Sequence, residues 1–305
     1  MALRTVSLIV TLTLLSAGAI SQNTRQTVEH QRFEVASVKQ HAPASVHYGM
    51  VRGGPGTDSP GQLTGVNITL WNLIRRAYNV KPWLLSGPEW LDHSGYDVNA
   101  KTPSGAGPDQ VAPMLQDLLA ERFGLVVHWE ARDLPIYELT VAKGGVKMKT
   151  AEKPGAVAPS GEATSARPQI DKDGCPALPP GIPRIAAWDI GRNTCMSGRT
   201  QTLAELAAQV ESFLGRSIVN KTGLSGAYDF RLMFVPPGLE EANINGTVGD
   251  MHATALSPEL AAAATEPAQT LVVAVERQLG LKLQASKGPI KVLVIDKASM
   301  VPTGN

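Results

Sequence analysis

The sequence predicts an α+β fold of two tandem β-α-β-β-α-β repeats, each a small sheet with two helices on one face. Three observations predict this arrangement. Two amphipathic helices begin with Thr-Leu, each is followed by a strand that opens with Tyr-Asp, and each copy closes with a Gly-ended helix and further strands. The same elements therefore occur twice in the same order.

The first copy is predicted over residues 30–143. "RFEVASVKQ" adds a strand near its start, and "TLWNLIRRAY" begins a helix at Thr69. The apolar residues of this helix recur at i, i+3, i+4 and i+7, which places them on one face. They are Leu70, Leu73, Ile74 and Ala77. "HSGYDVNAK" then predicts a half-buried strand that starts at Tyr96 and Asp97.

The second copy is predicted over residues 196–302. "TLAELAAQVESFLG" repeats the helical pattern, with Thr202 and Glu205 spaced as a capping box and Gly215 placed to end the helix. Its buried face consists of Leu203, Leu206, Ala207 and Val210. "LSGAYDFRLMF" repeats the strand entry at Tyr228 and Asp229.

Both copies end alike. Each has an amphipathic helix closed by Gly124 or Gly280, then a strand, a short turn and a second strand that begins at Pro135 or Pro289. The second copy carries an insertion at residues 236–267, which lacks a core period and predicts a long loop.

Between the copies, residues 144–195 are predicted to be a linker that contains a disulfide loop. The Pro, Gly, Ala and Ser content up to about Arg167 favours a flexible chain. Cys175 and Cys195 are the two cysteines, and we interpret them as one disulfide worth ~3 kcal/mol. A metal site is the weaker interpretation, because two cysteines without nearby histidines cannot supply four ligands. We expect neither a metal nor another cofactor.

Residues 1–21 predict a secretory signal peptide. Arg4 precedes an apolar stretch at residues 6–15 and then small residues, among them Ala17 and Ala19 in a small-x-small arrangement. The apolar stretch is short for a membrane span, although an uncleaved anchor helix is the alternative. We therefore expect export to the periplasm or the extracellular space, without a stable membrane span after cleavage.

The composition excludes some partners. Hydrophobic residues make up 43% of the 305 residues, enough for one or two packed cores. The net charge of +1 gives no global basic field of the kind that attracts nucleic acid or an anionic membrane surface. We expect no nucleic-acid partner.

Several motifs resemble a known family when taken in order. They are "RFEVASVKQ", "GYDVNAK", "MLQDLLAERFGL", "PIYELTVAK", "VNKTGLSGAYDF" and the closing "VLVID". In this order they resemble a secreted bacterial family of unknown function that is expanded in acidobacteria, with some relatives fused to a membrane metallopeptidase of the β-lactam-sensor type. The resemblance implies export and an envelope context, and it carries no catalytic residues over.

Each repeat also resembles the short N-terminal domain of secretins and TonB-dependent receptors. The likeness lies in the helix-strand order around "TLAELAAQVESFLGRSIV" and in the closing "QLGLKL" and "VLVID". It implies protein contacts rather than catalysis.

Catalytic signatures are scarce. The sequence contains no HExxH, GxSxG, SxxK or GxxxxGK motif. His128 and Glu130 would share one strand face and could act as an acid/base pair, or be exposed surface residues. Tyr228 and Asp229 are adjacent on a strand and point to opposite faces, which argues against proton transfer between them. We expect Tyr228 to pack under its helix and Asp229 to face either water or a turn N–H, and the same for Tyr96 and Asp97.

Aromatic residues are concentrated in the first copy. Trp83 and Trp90 lie in the connection "KPWLLSGPEWL" and are our candidate binding residues, as an exposed ligand or partner patch. The alternative is that they fill the core.

The sequence as a whole predicts an exported, non-catalytic binding or protein-interaction module of the bacterial cell envelope. Its partner would be an envelope protein or a small ligand, and an open sheet edge could accept a partner strand. One alternative is a secreted hydrolase with a site between the repeats, using His128, Glu130 or the carboxylates of residues 236–267. The other is a small-ligand sensor with a pocket near the tryptophans.

Overall fold

The computed structural model describes residues 31–41, 49–151, 175, 177–178, 184–239 and 269–304. The predicted signal peptide, the predicted insertion from residue 240 onwards and much of the predicted linker lie outside these residues. The described chain combines helices with several small sheets, which confirms the α+β class. Among the described residues, no helix is long and apolar enough to cross a membrane.

Each half contains six strands and two helices in the described residues. The first half consists of β1 (Val35–Gln40), β2 (Val51–Gly53), β3 (Gln62–Thr69), α1 (Leu70–Tyr78), β4 (Leu85–Ser86), β5 (Gly95–Lys101), α2 (Val111–Phe123) and β6 (Val126–Val141). The second half consists of β7 (Lys149–Thr150), β8 (Arg184–Ile190), β9 (Asn193–Thr202), α3 (Leu203–Leu214), β10 (Ile218–Asn220), β11 (Ala227–Phe234), α4 (Leu271–Ala274) and β12 (Leu281–Lys297). A π-helical segment, Val275–Leu279, continues α4.

The strands form three four-stranded sheets. Sheet A has the order β1-β5-β3-β2, and sheet C has the order β7-β11-β9-β8. Sheet B has the order β10-β6-β12-β4 and takes two strands from each half. The predicted arrangement of one sheet per repeat is therefore wrong, because the last strand of each half leaves its own half to join a shared sheet.

The long strands β6 and β12 make the shared sheet. The sequence predicted two strands and a turn in each of these places, but each is one continuous strand. They pair antiparallel from Leu281 opposite Val141 to Lys297 opposite Val126. Pro135 and Pro289 fall where no described strand pairs with the outer edge, because β10 covers only residues 137–139 of β6 and β4 only 293–294 of β12. A proline lacks a backbone N–H and is tolerated at such an edge, so it need not end the strand.

Two hydrophobic cores lie at opposite ends of this ribbon. The first core packs α1, α2 and sheet A, yet it includes Leu293 and Ile295 from β12. The second core packs α3, α4 and sheet C, and it includes Leu139 from β6. Each half therefore depends on a strand of the other. The predicted boundaries at residues 30–143 and 196–302 stay a prediction.

The two predicted Thr-Leu helices bury the faces that the sequence indicated. Leu70, Leu73, Ile74 and Ala77 are buried in α1, and Leu203, Leu206, Ala207 and Val210 are buried in α3. The capping box of α3 is present: the Glu205 backbone N–H donates to Thr202 Oγ1 at 3.3 Å, and the Thr202 N–H donates to Glu205 Oε2 at 2.7 Å. Gly215 ends the helix with φ of 62°.

Gly280 shows why its position requires glycine. Its φ is 69°, and a Cβ there would lie 1.9 Å from the carbonyl oxygen of Gly145. The segment after β6 passes directly over the end of the π-helical segment, where the Lys147 N–H donates to the Leu279 carbonyl at 2.9 Å. This contact ties the chain that leaves β6 onto the second half.

The two Tyr-Asp strand entries have the structural role that the sequence predicted. Asp97 Oδ1 accepts from the Asn67 N–H at 2.9 Å, and Asp229 Oδ1 accepts from the Thr200 N–H at 2.7 Å. Asn67 and Thr200 both have φ of 51°, at points where the pairing register shifts in the strands that precede α1 and α3. Each carboxylate stabilises a local backbone distortion, so Asp97 and Asp229 both have a structural role.

The C-terminal residues pack against the first half. The Tyr96 hydroxyl donates to the Met300 carbonyl at 2.7 Å, and the Ser299 N–H donates to the Phe123 carbonyl at 2.7 Å. The Thr303 N–H donates to the Arg122 carbonyl at 2.7 Å. The end of the chain therefore secures α2, which lies about 180 residues earlier in sequence.

The disulfide between Cys175 and Cys195 is confirmed, with Cα atoms 5.4 Å apart and both residues fully buried. It anchors the chain before β8 to β9. Two strands of sheet C, β7 and β8, fall within residues 144–195, which the sequence assigned to the linker. β7 has only two residues and β8 has no clear apolar alternation, so neither gave a strand signal.

Candidate functional site

Trp83 lies where the two halves meet. It belongs to a 3-10 turn, Pro82–Leu84, between α1 and β4. Its Nε1 donates to Ser217 Oγ of the second half at 3.3 Å, and Lys81 Nζ lies 5.5 Å from the ring centroid. The half-buried ring is thus held by both halves. Its predicted role as a binding residue stays a prediction.

An ion pair lies beside this tryptophan. Lys81 pairs with Glu211, which is only 8% exposed and also accepts from the Ile218 N–H at 2.5 Å. Burial lowers the pKa of Lys81. Because a buried carboxylate needs partners that compensate its lost hydration, this cluster fixes the position of α3 relative to the first half.

Trp90 has a different environment. It lies in a second 3-10 turn, Glu89–Asp92, and packs against the first core while it remains partly exposed. The structure therefore gives Trp90 a packing contact within the first half and Trp83 a polar contact with the second half. Sequence reasoning paired them because they are close in the chain.

The Trp83–Ser217 hydrogen bond should contribute to the stability of the contact between halves. We expect Trp83→Phe and Ser217→Ala to be non-additive, with a coupling free energy of about 1 kcal/mol in urea unfolding, because each change removes the same bond. Trp188→Phe combined with Ser217→Ala is the matched control and should be additive. Additive effects in the Trp83 cycle would show that this bond does not join the halves.

His128 and Glu130 share one strand face, as the sequence indicated, and the structure adds a third group. His128 Nδ1 lies 2.9 Å from both carboxylate oxygens of Asp296, which comes from β12. His128 Nε2 lies 3.9 Å from Glu130 Oε2. Glu130 in turn accepts from Arg132 at 2.9 Å, and this hydrogen bond lowers the pKa of Glu130. Sequence reasoning missed Asp296 because no local signal links it to His128.

This polar cluster is open to solvent. The side chain of His128 is 50% exposed, and those of Glu130 and Asp296 are 45% and 41% exposed. An imidazole held by a carboxylate can carry a proton, but water competes for every group here. Within the part of the chain that the structure describes, no group of three or more His, Cys, Asp or Glu residues could hold a metal ion.

An open sheet edge in the described chain belongs to β8, at one end of sheet C. This seven-residue strand pairs with β9 on one side, and no other described strand pairs with its second side. Trp188 is 37% exposed, and Ala187 and Asp189 on either side of it are also exposed. Edge strands of this length present a row of unpaired N–H and C=O groups.

The other described edge strands are shorter or partly closed. β2, β4, β7 and β10 have two or three residues each. β1 has six residues, but Arg122 donates to its Ala36 carbonyl at 3.3 Å, and Lys101 and Glu34 form an ion pair beside it at 2.6 Å. β8 is therefore the longest strand at the end of a sheet in the described chain, although β6 and β12 also have long stretches of outer edge that no described strand covers.

The fold and these sites define a class: a disulfide-bonded α+β protein of two interlocked halves, with an open edge strand beside the disulfide. The chain belongs to the family described as "Protein of unknown function (DUF3738)", whose model matches residues 71–298. Comparison with the curated proteins finds no match, and neither does comparison with the solved structures.

Proposed function

We propose that this protein is an exported binding module of the bacterial cell envelope that takes up an extended segment of a partner protein along β8. The observation that carries the proposal is the exposed second edge of this seven-residue strand, with which no strand of the described residues pairs. A partner strand that pairs there gains backbone hydrogen bonds irrespective of its sequence, and its side chains provide the specificity.

Trp188 provides the side-chain contact. It lies opposite Cys195 in the β8–β9 ladder, so the disulfide supports the strand position next to it. A partly exposed tryptophan offers a large apolar surface, and such residues dominate many protein interfaces. The Thr194 hydroxyl donates to Asp189 at 2.6 Å and holds the tip of the β8–β9 hairpin. The edge is thus preorganised, which reduces the entropy cost of binding.

Export is the second part of the proposal. It is supported by the signal-like pattern of residues 1–21 and by the disulfide, because disulfides persist in oxidising compartments. The resemblance to a secreted acidobacterial family and to N-terminal modules of secretins and TonB-dependent receptors also supports an envelope role. In this proposal the chain makes protein contacts and carries out no chemistry.

Selection of peptides from a random display library on the purified, oxidised protein tests the edge. We expect selected peptides to lack proline and to alternate apolar and polar residues, because they bind as strands. Backbone amide exchange should slow in β8 when such a peptide binds, since unpaired edge groups become hydrogen-bonded. Trp188→Lys should weaken binding at least tenfold, whereas Trp129→Lys, at another exposed tryptophan, should leave it unchanged.

Two results would contradict the proposal. One is a failure to select any peptide that the Trp188→Lys variant binds less well than the native protein does. The other is protection from exchange at a different surface, such as the His128 cluster.

A further inference from the structure

A second surface of sheet C has the character of a ligand site. An open pocket of about 580 Å³ lies along β9 and β11, between β7 and the end of the π-helical segment. Ala177 and Leu178 of the disulfide loop also line it. This volume is in the range of small-molecule sites.

The pocket concentrates positive charge. Four cationic residues line it, namely Lys147, Lys149, Arg199 and Arg231. Asp229 is the one acidic residue among the described lining residues. The whole chain carries a net charge of only +1, so this concentration is local.

The carboxylate of Asp229 does not balance these charges. Its Oδ1 accepts from the Thr200 N–H at 2.7 Å, the same structural role that Asp97 has in the first half. Arg231 has a further interaction of its own and is left out of the count, so one carboxylate against Lys147, Lys149 and Arg199 leaves a formal excess of two positive charges among the described lining residues.

The strand register places further like charge nearby. Arg199 lies directly opposite Arg184 of β8, and Arg231 lies directly opposite Ser197. Residues opposite each other, and residues two apart on one strand, share a face of the sheet. Like charges at opposed positions are unfavourable in a sheet, and Arg184 adds to the positive charge on this face.

Ser197 supplies an independent observation. It lines the pocket, it is only 6% exposed, and its Oγ has no hydrogen-bond partner within the described part of the chain. Buried hydroxyls nearly always have a partner, because an unsatisfied one costs free energy. A hydroxyl between Arg199 and Arg231 is suited to donate to an anionic oxygen.

We propose that this pocket binds a small ligand with at least two negative charges on phosphate or carboxylate oxygens. Arg199 provides a planar guanidinium group that can hold such oxygens in a bidentate manner. Lys149 adds charge at the mouth of the pocket. Lys147, whose Nζ donates to the Arg277 carbonyl at 2.7 Å, adds charge from a fixed position. This site goes beyond the partner edge at β8 and does not depend on it.

Calorimetric titration of the full, oxidised protein with pyrophosphate and citrate tests this site, with acetate as the singly charged control. We expect one of the two polyanions to bind in the millimolar range or tighter, more weakly as salt is raised. Preference for pyrophosphate assigns the site to phosphate groups, and preference for citrate assigns it to carboxylates. Acetate should not bind measurably.

Variants locate the binding. Arg199→Gln and Lys149→Gln should each weaken binding roughly tenfold, and Ser197→Ala should weaken it a few-fold. Lys149 is exposed, so its variant should fold even if the Arg199 variant is destabilised. Arg52→Gln, at an exposed arginine of β2 in sheet A, is the matched control and should bind as the native protein does. The proposal is overturned if neither polyanion binds, or if both pocket variants bind as tightly as the control.

Discussion

Replacing Leu293 with alanine is expected to destabilise the first half of the protein, although Leu293 lies near the C-terminal end of the chain. Leu293 is fully buried in the first core, where it pairs with Leu85 of β4 and lies opposite Trp129 of β6. A buried Leu→Ala change removes transfer free energy and leaves a cavity, so the free energy of unfolding should fall by about 2–5 kcal/mol.

The part of the protein that Leu293→Ala destabilises is a stronger test than the size of the stability loss. Hydrogen exchange of the backbone amides locates it. Leu293→Ala should accelerate amide exchange in α1 and β5, whereas Leu283→Ala, at the other end of the same strand, should accelerate exchange in α3 and β11. Lys291→Ala, at an exposed site on the same strand, should change stability by less than about 0.5 kcal/mol. If Leu293→Ala accelerated exchange only in the second half, the conclusion that β12 packs into the first core would be wrong.

Removing the disulfide should have the other large effect. The double variant Cys175→Ser, Cys195→Ser is expected to lose about 3 kcal/mol, because the bond closes a loop with a sequence separation of 20 residues and so restricts the unfolded chain. Both sulfur atoms are buried, so the new hydroxyls would also need partners. Urea unfolding with and without a reducing agent measures the loss.

The double variant, which has no disulfide to reduce, controls for other effects of the reducing agent. Reducing agent should lower the unfolding midpoint of the native protein towards that of the variant and leave the variant unchanged. The greatest local effect is expected at β8 and β9, since Cys195 lies in β9 opposite Trp188. Equal midpoints for the native and double-variant proteins under oxidising conditions would show that the bond contributes nothing to stability.

The two proposed sites lie on one sheet for a structural reason. β8 forms an edge of sheet C, and β9, its neighbour, contributes Ser197 and Arg199 to the cationic pocket. The disulfide joins the loop that lines this pocket to β9. Removing the disulfide should therefore weaken binding at both surfaces. Trp188→Lys should weaken binding only at the β8 edge, and Lys149→Gln only in the cationic pocket.

Local features were predictable because their causes are local. A helical face follows from apolar spacing, a capping box from Thr202 and Glu205 three residues apart, and a left-handed end from Gly215. The structural role of Asp229 followed from its place beside Tyr228 at a strand entry. The disulfide was predictable because the chain has only two cysteines.

The errors have a common cause as well. Period-2 alternation indicates which face of a strand is buried but not which strand pairs with it. Pro135 in the middle of β6 suggested a turn. The strand continues because Pro135 lies where no described strand pairs with the outer edge of β6, so its missing N–H breaks no ladder hydrogen bond there. β8 was missed because an edge strand exposed on most positions has no apolar period to detect.

The sequence by itself determined the α+β class, the faces and ends of the two Thr-Leu helices, the duplicated strand entries and the disulfide, since each depends on residues close together in the chain or on their number. The tertiary structure alone decided that β6 and β12 join the halves and that Asp296 meets His128. It also decided that Lys149, Ser197 and Arg199 border one pocket. These contacts join residues up to about 170 positions apart, and they depend on which distant strands pair, which the local pattern of one strand does not specify.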